Sequence, residues 1–216
     1  FISFPLDQFR GGVTTTVNKD MQIGGAVTQQ DLMEAEEKRT EELIEGGQFK
    51  AYDDTITFIK NLKKAGKILG VASSSPNART VLRILGIEEN FKHILDGRIA
   101  EVKKIPGKPS GEFFRAEAKE LGVSPERAVV FEDAVSGIQA AKAGEFGLII
   151  GLARNNDEEK LWAAGSDIVV KTIDDLDTDH LQRIYSMDGI IFDMDGVISD
   201  TESLHFKAWK EVFDNF

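Results

Sequence analysis

The chain contains no cysteine, only five prolines, two tryptophans and two tyrosines. The missing thiol excludes disulfides, thiolate metal sites and cysteine nucleophiles, and fits a reducing compartment. No stretch approaches the roughly 20 consecutive apolar residues that a membrane span requires. The opening Phe1-Ile-Ser-Phe-Pro-Leu shows no basic region followed by an apolar run, so no secretory signal is visible and a cytoplasmic location is expected. Positive charge is scarce too: 26 Lys+Arg face 37 Asp+Glu, a formal charge of −11. That field repels nucleic acid and anionic membranes, so neither is an expected partner, and an anionic substrate would need a local cation. Neither G-x-G-x-x-G nor G-x-x-x-x-G-K-[ST] occurs, so nucleotide binding by those loops is unsupported.

What is present, 216 residues with 41% hydrophobic and 29% charged, suits one domain of generous size or one domain with a smaller appendage. Up to about residue 50 the chain is turn-rich around one long polar helix, in which Leu32, Ala35, Leu43 and Ile44 form a thin apolar stripe behind a weak Thr28–Asp31 capping box. From about 51 the rhythm is helix then strand. Strands are predicted at Ile68–Ala72, Ala128–Phe131, Gly147–Ile150, Asp167–Val170 and Gly189–Phe192, with helices near 54–65, 77–86, 111–121, 134–143, 157–164, 179–185 and 201–214. Short, nearly all-apolar strands between amphipathic helices imply a parallel sheet covered on both faces. The expectation is a doubly wound, Rossmann-like α/β core at 51–200, with 1–50 and 201–216 forming a small helical cap. In such sheets ligands bind beyond the carboxyl ends of the strands.

Phe192 is followed by Asp193-Met194-Asp195-Gly196-Val197. Two carboxylates at the mouth of a buried strand repel each other and want a cation or a shared proton, unless they merely cap a helix. After Ala72 comes Ser73-Ser74-Ser75-Pro76-Asn77, whose hydroxyls and amides suit an anion or a helix cap. After Phe131 comes a second acidic pair, Glu132-Asp133, again open to a capping role; Lys108-Pro109 stands in a loop, where a lone lysine is usually solvated. Together, four carboxylates, a hydroxyl and an ammonium could hold a divalent metal and a phosphoryl group.

These residues resemble the four motifs of the haloacid dehalogenase superfamily: Asp193-x-Asp195-Gly196-Val197, Ser73, Lys108 before Pro109, and Glu132-Asp133. The chain is most similar to the β-phosphoglucomutase-like branch, which carries a small helical cap. Asp200-Thr-Glu-Ser-Leu-His205-Phe-Lys-Ala-Trp209 resembles its first cap segment, and Phe131 to Gly144 its fourth-motif helix. Members of the family start with the nucleophile strand, whereas here it follows the other motifs. Met187-Asp188-Gly looks like a former chain start and Ser186 like a former end, so a circular permutation is inferred, with Phe1 and Phe216 expected to lie close together.

The resemblance implies that Asp193 attacks phosphorus to form an aspartyl-phosphate and that Asp195 serves as general acid and then base. It implies Mg²⁺ held by Asp193, Asp133, the Asp195 carbonyl and Glu132, the last directly or through water. Ser73 and Lys108 would bind and neutralise the transferring group, and Thr201, His205, Ser75 and Asn77 would contact substrate. Two departures bear on substrate. After Gly12-Val13 stand threonines where mutases of this branch have an arginine, and Pro76 replaces a lysine. Arg10, Lys38, Arg39 or Arg79 could substitute, or could be solvated surface charges. The expected activity is therefore a phosphatase on small sugar phosphates in a monomeric protein, with a hexose-phosphate mutase as alternative and a non-catalytic phosphate-binding module as a third reading. Asp174-Asp175-Leu-Asp177-Thr-Asp179 lacks the Gly and Glu of a calcium loop and reads as an acidic helix start; His93 and His180 read as structural or exposed, and Trp162 as core.

Overall fold

A computed structural model describes residues 29–215. Thr28, Arg10, residues 12–16, Phe1 and Phe216, on which several of the expectations above rest, lie outside that range. In chain order the elements begin with α1 (Gln29–Glu45), β1 (Lys50–Ala51), α2 (Asp53–Lys64), β2 (Ile68–Ala72), α3 (Ala78–Ile84), β3 (His93–Leu95), α4 (Gly97–Val102) and α5 (Glu112–Leu121). They continue with β4 (Ala128–Glu132), α6 (Val135–Ala143), β5 (Leu148–Leu152), α7 (Glu158–Ala164), β6 (Ile168–Val170), α8 (Thr178–Ser186), β7 (Gly189–Phe192), β8 (Ser199–Asp200) and α9 (Glu202–Asn215).

Six of the strands form one parallel sheet in the order β3-β2-β7-β4-β5-β6. Successive side chains of a strand point to opposite faces, so each strand feeds two cores. Leu69, Val71, Val129, Phe131, Ile190 and Phe192 face α2, α3 and α8, whereas Ala72, Ala128, Val130 and Ile191 face α5, α6 and α7. Burial on both faces explains why these strands are runs of apolar residues rather than alternating ones. At the centre Phe131 and Phe192 stack with centroids 4.9 Å apart, and Phe58 of α2 meets Phe131 edge-on at 5.8 Å. The core is thus the expected doubly wound α/β type.

Three features were not anticipated. The edge strand β3 has only three residues, too few to show a period. The six-residue α4 is set instead by a local cap, in which the Ile99 N–H donates to the Asp96 carboxylate at 2.8 Å. β1 and β8, two residues each, pair antiparallel and brace the segment that follows Asp193. Trp162 corrects an expectation: it is 51% exposed, because the short α7 buries only Leu161, and the next residue is turned about 100° around the helix.

α1 and α9 lie against each other through Leu32, Trp209 and Val212, while Leu43, Ile44, Leu204 and Ala208 enter the main core. The turn from α8 into β7 is held by two cations. Lys67 Nζ donates to the Tyr185 and Met187 carbonyls at 2.5 and 2.9 Å, and Arg127 donates to the Ser186 carbonyl at 2.7 Å. Cations at a helix C-terminus complement its exposed carbonyls. Among the described residues no helix is long and apolar enough to cross a membrane.

Candidate active site

The sheet register brings three strand ends side by side. Phe192 pairs with Val71 on one side and Phe131 on the other, so the next residue, Asp193, stands level with Ala72 and Glu132. Ser73 and Asp133 follow one step further on. The Asp193 N–H donates to the Phe131 carbonyl at 2.9 Å, which extends the ladder to the carboxylate itself.

Lys108 closes the cluster from the loop before α5. Its Nζ lies 2.6 Å from Glu132 Oε2 and 2.6 Å from Asp193 Oδ1, with 6% of the side chain exposed. The Phe114 ring lies 5.0 Å from the ammonium, adding a π face on its apolar side. Burial works against this charge, but the carboxylates of Asp193 and Glu132 outweigh it and hold the ammonium above its ordinary pKa. Burial first, then the neighbouring Asp193 charge, push the Glu132 carboxyl upward against the pull of Lys108. The other oxygen of Glu132, Oε1, accepts from the Asp133 and Ala134 N–H groups at 3.2 and 3.1 Å.

Glu132, Asp133 and Asp193 are buried, and one oxygen of each lies within 4.8 Å of the other two. Three carboxylates against one ammonium leave the cluster short of positive charge. An all-oxygen, partly neutralised donor set fits a hard divalent cation such as magnesium, and lacks the His or Cys that zinc favours. Gly196 matters here: its φ is +76°, and a Cβ would collide with the Asp133 carboxylate. Only glycine lets the chain after Asp195 press so closely on Asp133. Asp195 itself is half-buried and bridges to Ser199.

On the β2 side, Ser73 Oγ accepts from the Ser75 N–H at 3.1 Å and Ser75 Oγ from the Asn77 N–H at 3.2 Å. Each hydroxyl spends a lone pair on the turn and keeps its proton to donate. The Asn77 amide makes no cap bond; both its polar atoms, like Thr201 Oγ1, are buried without a protein partner among the described residues. Buried polar groups in that state call for a ligand or water. His205 turns toward the helical layer: Nδ1 is 2.9 Å from Glu36 Oε1, which also accepts from Thr40 Oγ1 at 2.8 Å. Of the cations considered as substitutes, Arg39 pairs with Glu42 and Glu211, Arg79 with Glu88, and Lys38 is exposed.

One residue escaped the sequence reading. Arg154, two positions beyond β5, reaches the Gly196 carbonyl at 3.1 Å. Inspecting every strand end, rather than the acidic and hydroxyl-rich ones, would have found it.

The fold and this cluster define a doubly wound α/β domain with a lysine-bridged acidic site at its strand ends. The chain belongs to the haloacid dehalogenase-like hydrolase family, whose sequence pattern matches residues 8–144. That stretch holds Ser73, Lys108 and Glu132-Asp133, while Asp193 lies beyond it. A β-phosphoglucomutase of Mycobacterium bovis is 31% identical over 156 residues, 71% of this chain and 60% of that protein. A phosphorylated carbohydrates phosphatase of Thermotoga maritima is 37% identical over 106 residues, 48% of this chain and 47% of that protein. A HAD family hydrolase from Deinococcus radiodurans, solved with bound phosphate and sodium, superposes with a TM-score of 0.54 at 25% identity, over 63% of this chain and 61% of that one. The chain thus spans 60% of the mutase's length and about half of the phosphatase's.

Proposed function

We propose that this protein is a magnesium-dependent phosphoryl-transfer enzyme for small sugar phosphates, working as a phosphatase through an aspartyl-phosphate on Asp193. The observation that carries the reading is the Lys108 bridge between Asp193 and Glu132, beside Asp133. A carboxylate oxygen of Asp193 attacks phosphorus as the bond to the sugar oxygen breaks, and Asp195 donates a proton to the leaving alcohol. Asp195 then takes a proton from water, whose oxygen attacks the phosphorus of the aspartyl-phosphate and frees Asp193 and phosphate. Ser73 donates a hydrogen bond from its hydroxyl to the transferring group, and the buried Lys108 ammonium offsets the negative charge of that group. Held by Asp193, Asp133, the Asp195 carbonyl and Glu132, bound magnesium would supply further charge neutralisation and orientation. Ser75, Asn77, Thr201 and His205 are assigned to the sugar side; the amide of Asn77 and hydroxyl of Thr201, unpartnered among the described residues, support the assignment of those two, while His205, whose Nδ1 meets Glu36, is included on the resemblance alone.

A mutase is the second reading, favoured by the mycobacterial β-phosphoglucomutase matching 71% of the chain. The test is product analysis on β-glucose 1-phosphate with Mg²⁺ and a trace of the 1,6-bisphosphate. Free phosphate identifies a phosphatase, and glucose 6-phosphate without free phosphate a mutase. Loss of neither product in Asp193→Asn would sink both readings. No Mg²⁺-dependent turnover of this sugar or of aryl phosphates by the folded wild type would leave a phosphate-binding module. The proposal includes a cap built from 1–50 and 201–216, supported by α1 lying against α9, and a monomer at work in the cytoplasm. It also includes the permuted motif order, supported by β7 standing between β2 and β4 although it follows both in the chain.

A further inference from the structure

The segment Asp193–Asp200 carries both aspartates of the DxD motif, and its backbone is gripped from outside. Tyr52 donates its N–H to the Ile198 carbonyl at 3.0 Å, and β1 pairs with β8 at the far end. The third grip is a side chain. Arg154 Nε donates to the Gly196 carbonyl at 3.1 Å, while Nη2 donates to Thr55 Oγ1 at 2.8 Å and to Asp54 Oδ1 and Oδ2 at 3.2 and 3.1 Å. The guanidinium carbon lies over the Tyr52 ring, 3.8 Å from its centroid. Asp54 is anchored in turn, accepting the Ile173 N–H at 2.9 Å. Only 9% of the Arg154 side chain is exposed.

We propose that Arg154 is a positioning residue: by holding the Gly196 carbonyl it sets where Asp195 stands relative to Asp193 and Asp133. Its functional consequence rests on the phosphoryl-transfer reading. Asp54 answers the charge of Arg154, so the contribution is geometry and not an added field. The planar fork matters, because Nε serves the loop while Nη2 serves α2; an ammonium has no such fixed pair of directions. Gly196 directly follows Asp195 and presses on Asp133, so a slip of its peptide moves the proton donor and a metal-site carboxylate together.

The test compares wild type with Arg154→Lys, which leaves a cation for Asp54 but not the fork, and with Arg154→Met. Amide hydrogen exchange over 193–200 is read beside kcat and KM for an aryl phosphate with Mg²⁺. For Arg154→Lys the expected result is faster exchange confined to 193–200, with kcat lower by about 100-fold, as for roughly ångström misplacement, and KM nearly unchanged. Arg154→Met should exceed it in both. Unchanged exchange at 193–200, exchange raised evenly across the sheet, or faster local exchange with an unchanged kcat in an active enzyme would overturn the proposal. A wild type without turnover would sink the phosphoryl-transfer reading instead, and exchange at 193–200 would still decide whether Arg154 holds the loop.

Discussion

Two buried glutamates, one at the end of a sheet strand and one on a helix packed against the sheet, meet nitrogen partners in opposite ways. Glu132, at the carboxyl end of β4, has Lys108 on one oxygen and two backbone N–H groups on the other. Glu117, on α5, meets His93 Nδ1 at 2.6 Å through Oε2, while its Oε1 is buried without a hydrogen-bond partner among the described residues and fills the space a side chain at Gly70 would need. Burial raises both carboxyls, Glu117 to about 7 against the pull of His93. A raised carboxyl is therefore no signature of a site by itself. What separates the two is convergence: around Glu132 stand Asp193, Asp133 and Lys108, whereas the titratable groups acting on Glu117 are His93 and, at the surface, Glu120 and Lys103.

The comparison can be broken first at Lys108. Lys108→Ala strips the cation from two buried carboxylates and should cost about 3–5 kcal/mol of stability. Mg²⁺-dependent turnover should fall by roughly 10²–10³-fold in the molecules that remain folded. Urea unfolding and kinetics on the same sample check both, and a stability loss without a loss of kcat would make Lys108 a structural cation only.

Glu117 should behave in the reverse sense. Its folded-state pKa of about 7 lies above the ordinary 4.5, so the native state holds the extra proton between those values and stability falls as pH rises through that window. Glu117→Gln removes the cost of ionising a buried acid. It should stabilise the protein by about 1–3 kcal/mol more at pH 8 than at pH 5. Thermal melts at the two pH values decide it; a variant with the wild-type pH dependence would show that Glu117 does not titrate there.

The smallest effect is expected at the helical layer. Arg39 pairs with Glu211 and Glu42 at the solvent-exposed side of the α1–α9 contact, where water screens the attraction. Arg39→Ala should leave the melting temperature unchanged within error. A clear drop would mean that the layer depends on this ion pair more than on Leu32, Trp209 and Val212.

Much of the site was legible because its parts are local. Asp193-x-Asp195, Ser73 and Glu132-Asp133 each follow directly on an apolar strand, and Lys108 directly precedes Pro109. Arg154 was not legible, because its meaning lies in Gly196, 42 positions away, and Asp54, 100 positions away. His205 was marked by its place in the cap segment, yet its pairing with Glu36 spans 169 positions and no spacing shows it. β3 and the β1–β8 pair are too short to show a period, and they exist because a neighbouring strand supplies their hydrogen bonds.

By itself the sequence determined the alternation of strand and helix, the two-faced burial of the sheet and the residue types at each strand end. Those follow from the period of apolar side chains and from which residues interrupt it. The tertiary structure alone decided that β7 takes the centre, that Lys108 bridges two strand ends, and that Arg154 bonds the loop that follows β7. Each of these depends on which distant segments meet, because a buried charge or carbonyl is satisfied by whatever partner the packing brings within about 3 Å, at any separation along the chain.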